Sequence, residues 1–83
     1  MYSIIFSKKA EEQLFKLPEE LQKRIVNHLE RIKIRPYHFV EKLVNTPYFK
    51  LRVGDYRLIL DIKNKELLIF VIKVGHRKNI YKM

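Results

Sequence analysis

The sequence predicts an α+β fold, a mainly antiparallel sheet with a hairpin of two helices packed on one face. Three observations support this prediction. A short segment rich in aromatic and branched residues opens the chain, two segments with apolar residues at helical spacing follow, and three alternating segments fill the second half. The predicted order is β-α-α-β-β-β. We expect the 83 residues, 1–83, to form one domain.

The first half of the chain has clear signals for one strand and two helices. Residues 2–6 are predicted to form the strand, and Ser7 is placed to cap a helix over residues 8–16. Pro18 then permits a second helix to begin, because proline is tolerated in a first helical turn. This helix is expected to continue until Pro36. Its inner stripe comprises Leu21, Ile25, Leu29 and Ile32, with Val26 alongside.

The second half alternates with a period of two, which is typical of strands exposed on one side. Gly54-Asp55 and Asn64-Lys65 are predicted tight turns, and Gly75 is predicted to end the last strand and leave a tail over 76–83. The alternation places Lys50, Arg52 and Arg57 on the face that the helices leave open. The predicted segments are a loop over 36–47 and strands over 48–53, 56–62 and 66–74.

The charge is strongly positive and unevenly distributed. The net charge is +9, with eight basic and six acidic side chains in residues 1–41 but ten basic and three acidic in residues 42–83. A one-sided positive field attracts polyanions. The charge alone leaves open a nucleic acid, an anionic membrane surface, an acidic protein, or a basic surface that serves solubility.

Several kinds of site find no support in the sequence. The chain has no cysteine, its three histidines are scattered, and its two serines lie in the first strand and its cap. We therefore expect no disulfide, metal site or serine nucleophile, and no cofactor. No apolar run approaches the roughly 20 residues of a membrane span, so we expect a cytoplasmic protein without a membrane partner.

A set of cations and aromatic side chains remains as the candidate for chemistry. RNA strand cleavage requires activation of a 2′-hydroxyl, stabilisation of charge on the phosphoryl oxygens and departure of the 5′-oxygen. Arginines suit the second task, and tyrosine can stack on an unpaired base. Spacing alone equally allows an ordinary solvated sheet face. The set comprises Lys50, Arg52, Tyr56, Arg57, Lys73, His76, Arg77 and Tyr81.

Two motifs resemble the RelE/ParE toxin superfamily of toxin–antitoxin systems. Residues 48–58, YFKLRVGDYRL, are similar to its hairpin, and residues 71–81, VIKVGHRKNIY, are similar to its C-terminal signature. The resemblance extends over almost the whole chain. It implies a RelE-like fold, similar to that of microbial RNases. In the RelE branch it implies a toxin that is a metal-independent, ribosome-dependent endoribonuclease, cleaving mRNA in the decoding site and so inhibiting translation.

The resemblance also implies a role for individual residues. Lys50 would activate or stabilise the attacking oxygen, Arg57 would hold the scissile phosphate, and Arg77 would assist the transition state and the leaving group. Tyr81 would orient the substrate. No glutamate of the kind that serves as a base in neighbouring branches is evident. The supporting, RNA-binding residues would be Arg52, His76, Lys73 and Lys78.

The partners implied are the ribosome, mRNA and an acidic RelB-like antitoxin that wraps the toxin. Two alternatives stay open at this point. A ParE-type toxin would inhibit DNA gyrase by binding, without nuclease activity, and a basic RNA-binding domain would explain the charge but not the two motifs.

Overall fold

A computed structural model describes residues 1–79, which form a five-stranded sheet with two helices. The sheet order is β1-β5-β4-β3-β2, with β1 parallel to β5 and every other pair antiparallel. The predicted α+β class, with a mainly antiparallel sheet, is confirmed. The elements are β1 (Ser3–Phe6), α1 (Lys8–Phe15), α2 (Glu19–Ile32), a 3-10 turn (Pro36–His38), β2 (Glu41–Lys42), β3 (Phe49–Val53), β4 (Tyr56–Lys63) and β5 (Leu68–His76).

Both helices begin where the sequence predicts. The Ser7 hydroxyl oxygen accepts a hydrogen bond from the Ala10 backbone N–H at 3.0 Å, which caps α1. Pro18 lies at the N-terminal cap position of α2, and two glutamates occupy the positive first turn. The second helix ends at Ile32, earlier than the predicted stop at Pro36. Neither helix of residues 1–79 is long and apolar enough to cross a membrane.

The core lies between the two helices and one face of the sheet. Helix α1 contributes Ala10 and Leu14. From α2 come Ile25, Leu29 and Ile32, three members of the predicted inner stripe, whereas Val26 is 42% exposed. The facing strand residues include Leu51, Val53, Leu58, Leu60, Ile69, Val71 and Val74.

The prediction of a loop over residues 36–47 is wrong in part. Residues Glu41 and Lys42 form a short edge strand that pairs with Lys50 and Phe49 of β3. A strand of two charged residues has no hydrophobic periodicity, so the sequence does not predict it. The pairing matters for the site because it places Glu41 directly beside Lys50.

The predicted bounds of the last strand are also wrong at both ends. Lys63 pairs with Leu68, so the connection spans residues 64–67 and has a left-handed residue, Leu67 (φ 54°), in place of a two-residue turn. At the other end the ladder continues through Gly75, which pairs with Arg57, to His76. A glycine does not stop a strand whose partner continues to pair with it.

A β-bulge at Ile72 determines which side chains of β5 reach the open face. Ile59 pairs with Lys73 whereas the next residue, Leu60, pairs with Val71, so β5 has one extra residue. The residue that caps α1 also fixes the bulge, because the Ser7 hydroxyl donates a hydrogen bond to the Ile72 carbonyl at 2.9 Å. After the bulge the alternation restarts, so Val74 points into the core and Lys73 away from it.

Candidate functional site

Three strands present cationic side chains on the sheet face away from the helices, the open face. Cross-strand partners in a sheet share a face, and the register places Lys50, Ile59 and Lys73 in one row. The neighbouring row contains Arg52, Arg57 and Gly75. The structure therefore brings four of the predicted site residues together in two adjacent rows: Lys50, Arg52, Arg57 and Lys73.

The two lysines of the first row cover an apolar floor. Ile59 lies on the open face, yet it is only 6% exposed. Its cross-strand partners Lys50 and Lys73 are both half-buried, which is consistent with aliphatic stems that lie along the isoleucine and amines that reach water. Packing against Ile59 therefore fixes the direction of each lysine side chain, as a preformed anion site requires.

The β3–β4 turn contacts two arginines, Arg57 through its side chain and Arg77 through its backbone. Gly54 adopts φ 59° in this turn, which favours glycine. The Arg57 guanidinium donates to the carbonyls of Gly54 at 3.2 Å and Tyr56 at 3.1 Å. The backbone N–H of Arg77 donates to the Asp55 carbonyl at 2.8 Å, and the Arg77 side chain is exposed. One turn thus positions both arginines.

Gly75 leaves a gap in the cationic face. It pairs with Arg57 across the strands and lies two residues after Lys73 in β5, and Arg77 follows just beyond the end of that strand. Because glycine has no side chain, the open face carries no side chain at this position, beside Arg57 and Lys73. An anion such as a phosphate group is the ligand that neighbouring cations favour.

A carboxylate also lies beside the open face. The Oε2 atom of Glu41 is 3.7 Å from the Nζ atom of Lys50. The sequence reading missed Glu41 because the short strand that carries it has no recognisable pattern. The pair is asymmetric in burial, with side-chain exposures of 26% for Lys50 and 77% for Glu41.

Two other predicted site residues have different positions. His76 pairs with Tyr56, whose side of the sheet is that of the helices, and the two rings meet edge to face with centroids 5.4 Å apart. The Nδ1 atom of His76 accepts a hydrogen bond from the backbone N–H of Lys78 at 3.2 Å, so both residues lie at the end of β5 rather than on the open face. Tyr81 lies outside the described residues.

Comparison with solved structures shows the same fold in toxin–antitoxin complexes. The RelBE2 complex of Mycobacterium tuberculosis matches with a TM-score of 0.85 and 25% identity over 92% of this chain and 98% of that one. The archaeal RelE–RelB complex from Pyrococcus horikoshii gives 0.79 and 26% over 92% and 94%. The intact RelBE complex of E. coli gives 0.78 and 26% over 92% and 96%.

Sequence comparison identifies the family. No protein of curated function is a significant match. A family model described as "ParE toxin of type II toxin-antitoxin system, parDE" matches residues 4–81, nearly the whole chain. The two sequence motifs and the cationic open face agree with this match. The chain therefore belongs to the ParE toxin family, within the RelE/ParE superfamily of type II toxin–antitoxin toxins.

Proposed function

We propose that this toxin is a RelE-type, ribosome-dependent endoribonuclease that cleaves mRNA in the decoding site and so inhibits translation. The observation that supports the proposal most strongly is the cationic open face, where Lys50, Arg57 and Lys73 come from three adjacent strands and lie in two adjacent rows. A surface of this kind favours a polyanion. The identities of 25–26% to RelE–RelB complexes support the same branch.

The proposed reaction is attack of a ribose 2′-oxygen on the adjacent phosphorus. The 2′-O–P bond forms, the P–O5′ bond breaks, the 2′-hydroxyl loses its proton and the 5′-oxygen gains one. Arg57 would hold the phosphoryl oxygens, and the bonds from its guanidinium to the Gly54 and Tyr56 carbonyls would limit the movement of that group. Lys50 would activate or stabilise the attacking oxygen. Arg77 would stabilise the transition state and assist the leaving group, and the reaction would need no metal ion.

The other predicted residues would act on binding rather than on the reacting atoms. Lys73 and Arg52 share the open face and would contact neighbouring phosphates. Lys78 would contribute charge, and Tyr81 would orient the substrate. His76 would support the site indirectly, by packing on Tyr56 at the end of β4. The ribosome would supply the alignment of the strand, which can contribute several kcal/mol to catalysis.

Primer extension on translating ribosomes tests the proposal. Wild-type toxin should generate new mRNA 5′ ends within the decoding site, and Arg57→Ala should not. The same toxin incubated with naked RNA should cut slowly. Intact mRNA on ribosomes that have been exposed to folded wild-type toxin would refute ribosome-dependent cleavage, and rapid cutting of naked RNA would refute the dependence on the ribosome.

Inhibition of DNA gyrase is the second candidate function. It is favoured by the family model itself, which describes a ParE toxin and spans residues 4–81. A ParE-type toxin would act by binding and without nuclease activity. Supercoiling by purified gyrase distinguishes the two candidates, because a ParE-type toxin would inhibit it whereas a RelE-type toxin would leave it unchanged.

We also propose that the toxin's partner is an acidic RelB-like antitoxin that wraps it in the cytoplasm. The similar RelE chains were solved in complex with RelB, and a net charge of +9 favours an acidic chain. The antitoxin would act partly by displacing the tail, residues 76–83. Hydrogen exchange of that segment, free and bound, tests this mechanism. Equal protection in both states would leave charge neutralisation or occlusion of the face.

A further inference from the structure

Helix α2 carries a second group of basic side chains, which we name the α2 stripe: Arg24, His28 and Arg31. Residues spaced by four and then three positions lie on one side of a helix, and a rise of about 1.5 Å per residue places Arg24 and Arg31 roughly 10 Å apart along the axis. Both arginines are exposed, and His28 between them is half-buried. The stripe is absent from the two sequence motifs and from the candidate site.

Neither arginine of the stripe forms an ion pair within the described residues. Four ion pairs occur within residues 1–79, and none includes Arg24 or Arg31. Two glutamates of α2 are instead engaged with lysines, Glu19 with Lys23 and Glu30 with Lys33. Both guanidinium groups therefore remain available to an anionic ligand.

The pKa of His28 reflects its burial and the charges of the two arginines in the stripe. Burial lowers its pKa below the ordinary value of 6.5, and the charges of Arg31 and Arg24 lower it further. The imidazole is therefore neutral near pH 7 and offers one donor and one acceptor between two fixed cations. This combination suits a ligand that carries regularly spaced negative charges and hydroxyl groups between them.

The position of the stripe separates it from the open face. The Arg24 guanidinium lies over the β3–β4 turn, where a Cβ atom added to Gly54 would be 3.4 Å from an Arg24 nitrogen. A shallow cleft of about 300 Å³ lies between α2 and this turn, and it includes Glu20 and Asp55. Both acids lie on the side of the stripe where Arg24, its first residue, is found. The turn itself separates Arg24 from Arg57, so the two basic surfaces meet at the turn but face different sides.

We propose that the α2 stripe binds the phosphate backbone of structured RNA, whereas the open face takes the single strand to be cut. This inference rests on the proposed function for the choice of RNA as target. Protein partners are usually anchored by buried apolar side chains, and the stripe offers none, because the exposed Val26 lies on the far side of α2. Arginines at a fixed spacing with a neutral histidine between them match phosphates and ribose hydroxyls.

The test measures binding to an RNA hairpin and to purified small ribosomal subunits as a function of salt. The variant Arg24→Gln/Arg31→Gln should lower the slope of log affinity against log salt by about two, and the affinity by roughly ten- to a hundredfold at moderate salt. Lys9→Gln/Lys23→Gln removes the same charge from exposed helix positions elsewhere and should change the slope little. Arg24→Lys/Arg31→Lys should restore most of the slope.

The outcomes separate this inference from the proposed function. A slope that is equal in the stripe variant, the control variant and the wild type overturns the inference, even where the wild type cleaves mRNA. Loss of binding to poly-glutamate without loss of binding to RNA also overturns it, in favour of an acidic protein. A reduced slope in the stripe variant alone supports it, even where primer extension detects no cleavage and the proposed function has failed. Circular dichroism verifies that each variant is folded.

Discussion

The Lys50 ammonium lies 3.7 Å from the Glu41 carboxylate, across the pairing of β3 with the edge strand β2. The glutamate is 77% exposed, so solvent screens the pair, and exposed pairs of this kind contribute about 0–1 kcal/mol to stability. In the proposed mechanism the same carboxylate would compete with an incoming phosphate for the amine of Lys50. We therefore expect the contact to affect binding more than folding.

We predict that Glu41→Gln leaves the free energy of unfolding nearly unchanged and raises the affinity for single-stranded RNA a few-fold. The reason is that Lys50 would no longer be engaged by a negative charge. Urea denaturation and fluorescence anisotropy provide the two measurements. Glu19→Gln is the matched control, since it removes a glutamate of similar exposure from an ion pair on α2. Equal affinities for Glu41→Gln and Glu19→Gln would show that Glu41 does not compete.

We predict that Arg57→Ala and Arg77→Ala each lower the rate of mRNA cleavage on ribosomes by about 10²- to 10³-fold, because each removes a donor aimed at developing negative charge. Both variants should abolish growth arrest and still bind the antitoxin. Lys65→Ala, in the exposed β4–β5 connection, is the control and should remain toxic. Full toxicity of a folded Arg77→Ala protein would remove Arg77 from the proposed mechanism.

A larger side chain at Gly75 should lower activity without lowering stability. Gly75 lies in β5, and its φ is not positive, so a branched residue suits the strand conformation. Gly75→Val should therefore preserve the melting temperature or raise it slightly. It should lower RNA affinity and cleavage by tenfold or more, because the side chain would cover the open face beside Arg57, its cross-strand partner, and Lys73. Unchanged cleavage by the stable variant would place the phosphate elsewhere.

The lowered pKa of His28 predicts a pH dependence of stability. Burial and the two neighbouring arginines favour the neutral imidazole in the folded state. The stabilising contribution is therefore present above the ordinary pKa near 6.5 and is lost as the pH falls through the lower folded pKa. His28→Gln should flatten the decline in unfolding free energy between about pH 7.5 and about pH 5. Parallel curves for the wild type and the variant, each measured by urea denaturation, would contradict this.

Local signals in the sequence predicted the elements that depend on local chemistry. Ser7 is a side-chain cap followed by a helix, and Gly54 occupies a turn that needs a positive φ, so both could be identified without the structure. The alternation around Lys50 and Arg57 also placed both residues correctly on the open face. These features require no knowledge of residues far along the chain.

Features that depend on distant partners could not be predicted. Glu41 reaches the site only because an edge strand without any pattern pairs with β3. The bulge at Ile72 is fixed by Ser7, 65 residues earlier in the chain. Likewise, β5 continues past Gly75 because β4 continues beside it, and His76 consequently packs on Tyr56 instead of joining the cations.

Strand β2 pairs with only part of the edge of β3, and the unpaired part affects self-association. Within residues 1–79, β2 pairs with β3 only at Phe49 and Lys50, which leaves the edge beside residues 51–53 without a partner strand. Open edges tend to pair with other copies of the same chain. Here Arg52 lies on this edge strand, so two copies meeting edge to edge would bring like charges together. Substitutions that abolish toxicity by removing charge from this edge should therefore also promote aggregation. Light scattering of each variant, measured together with its toxicity, checks this.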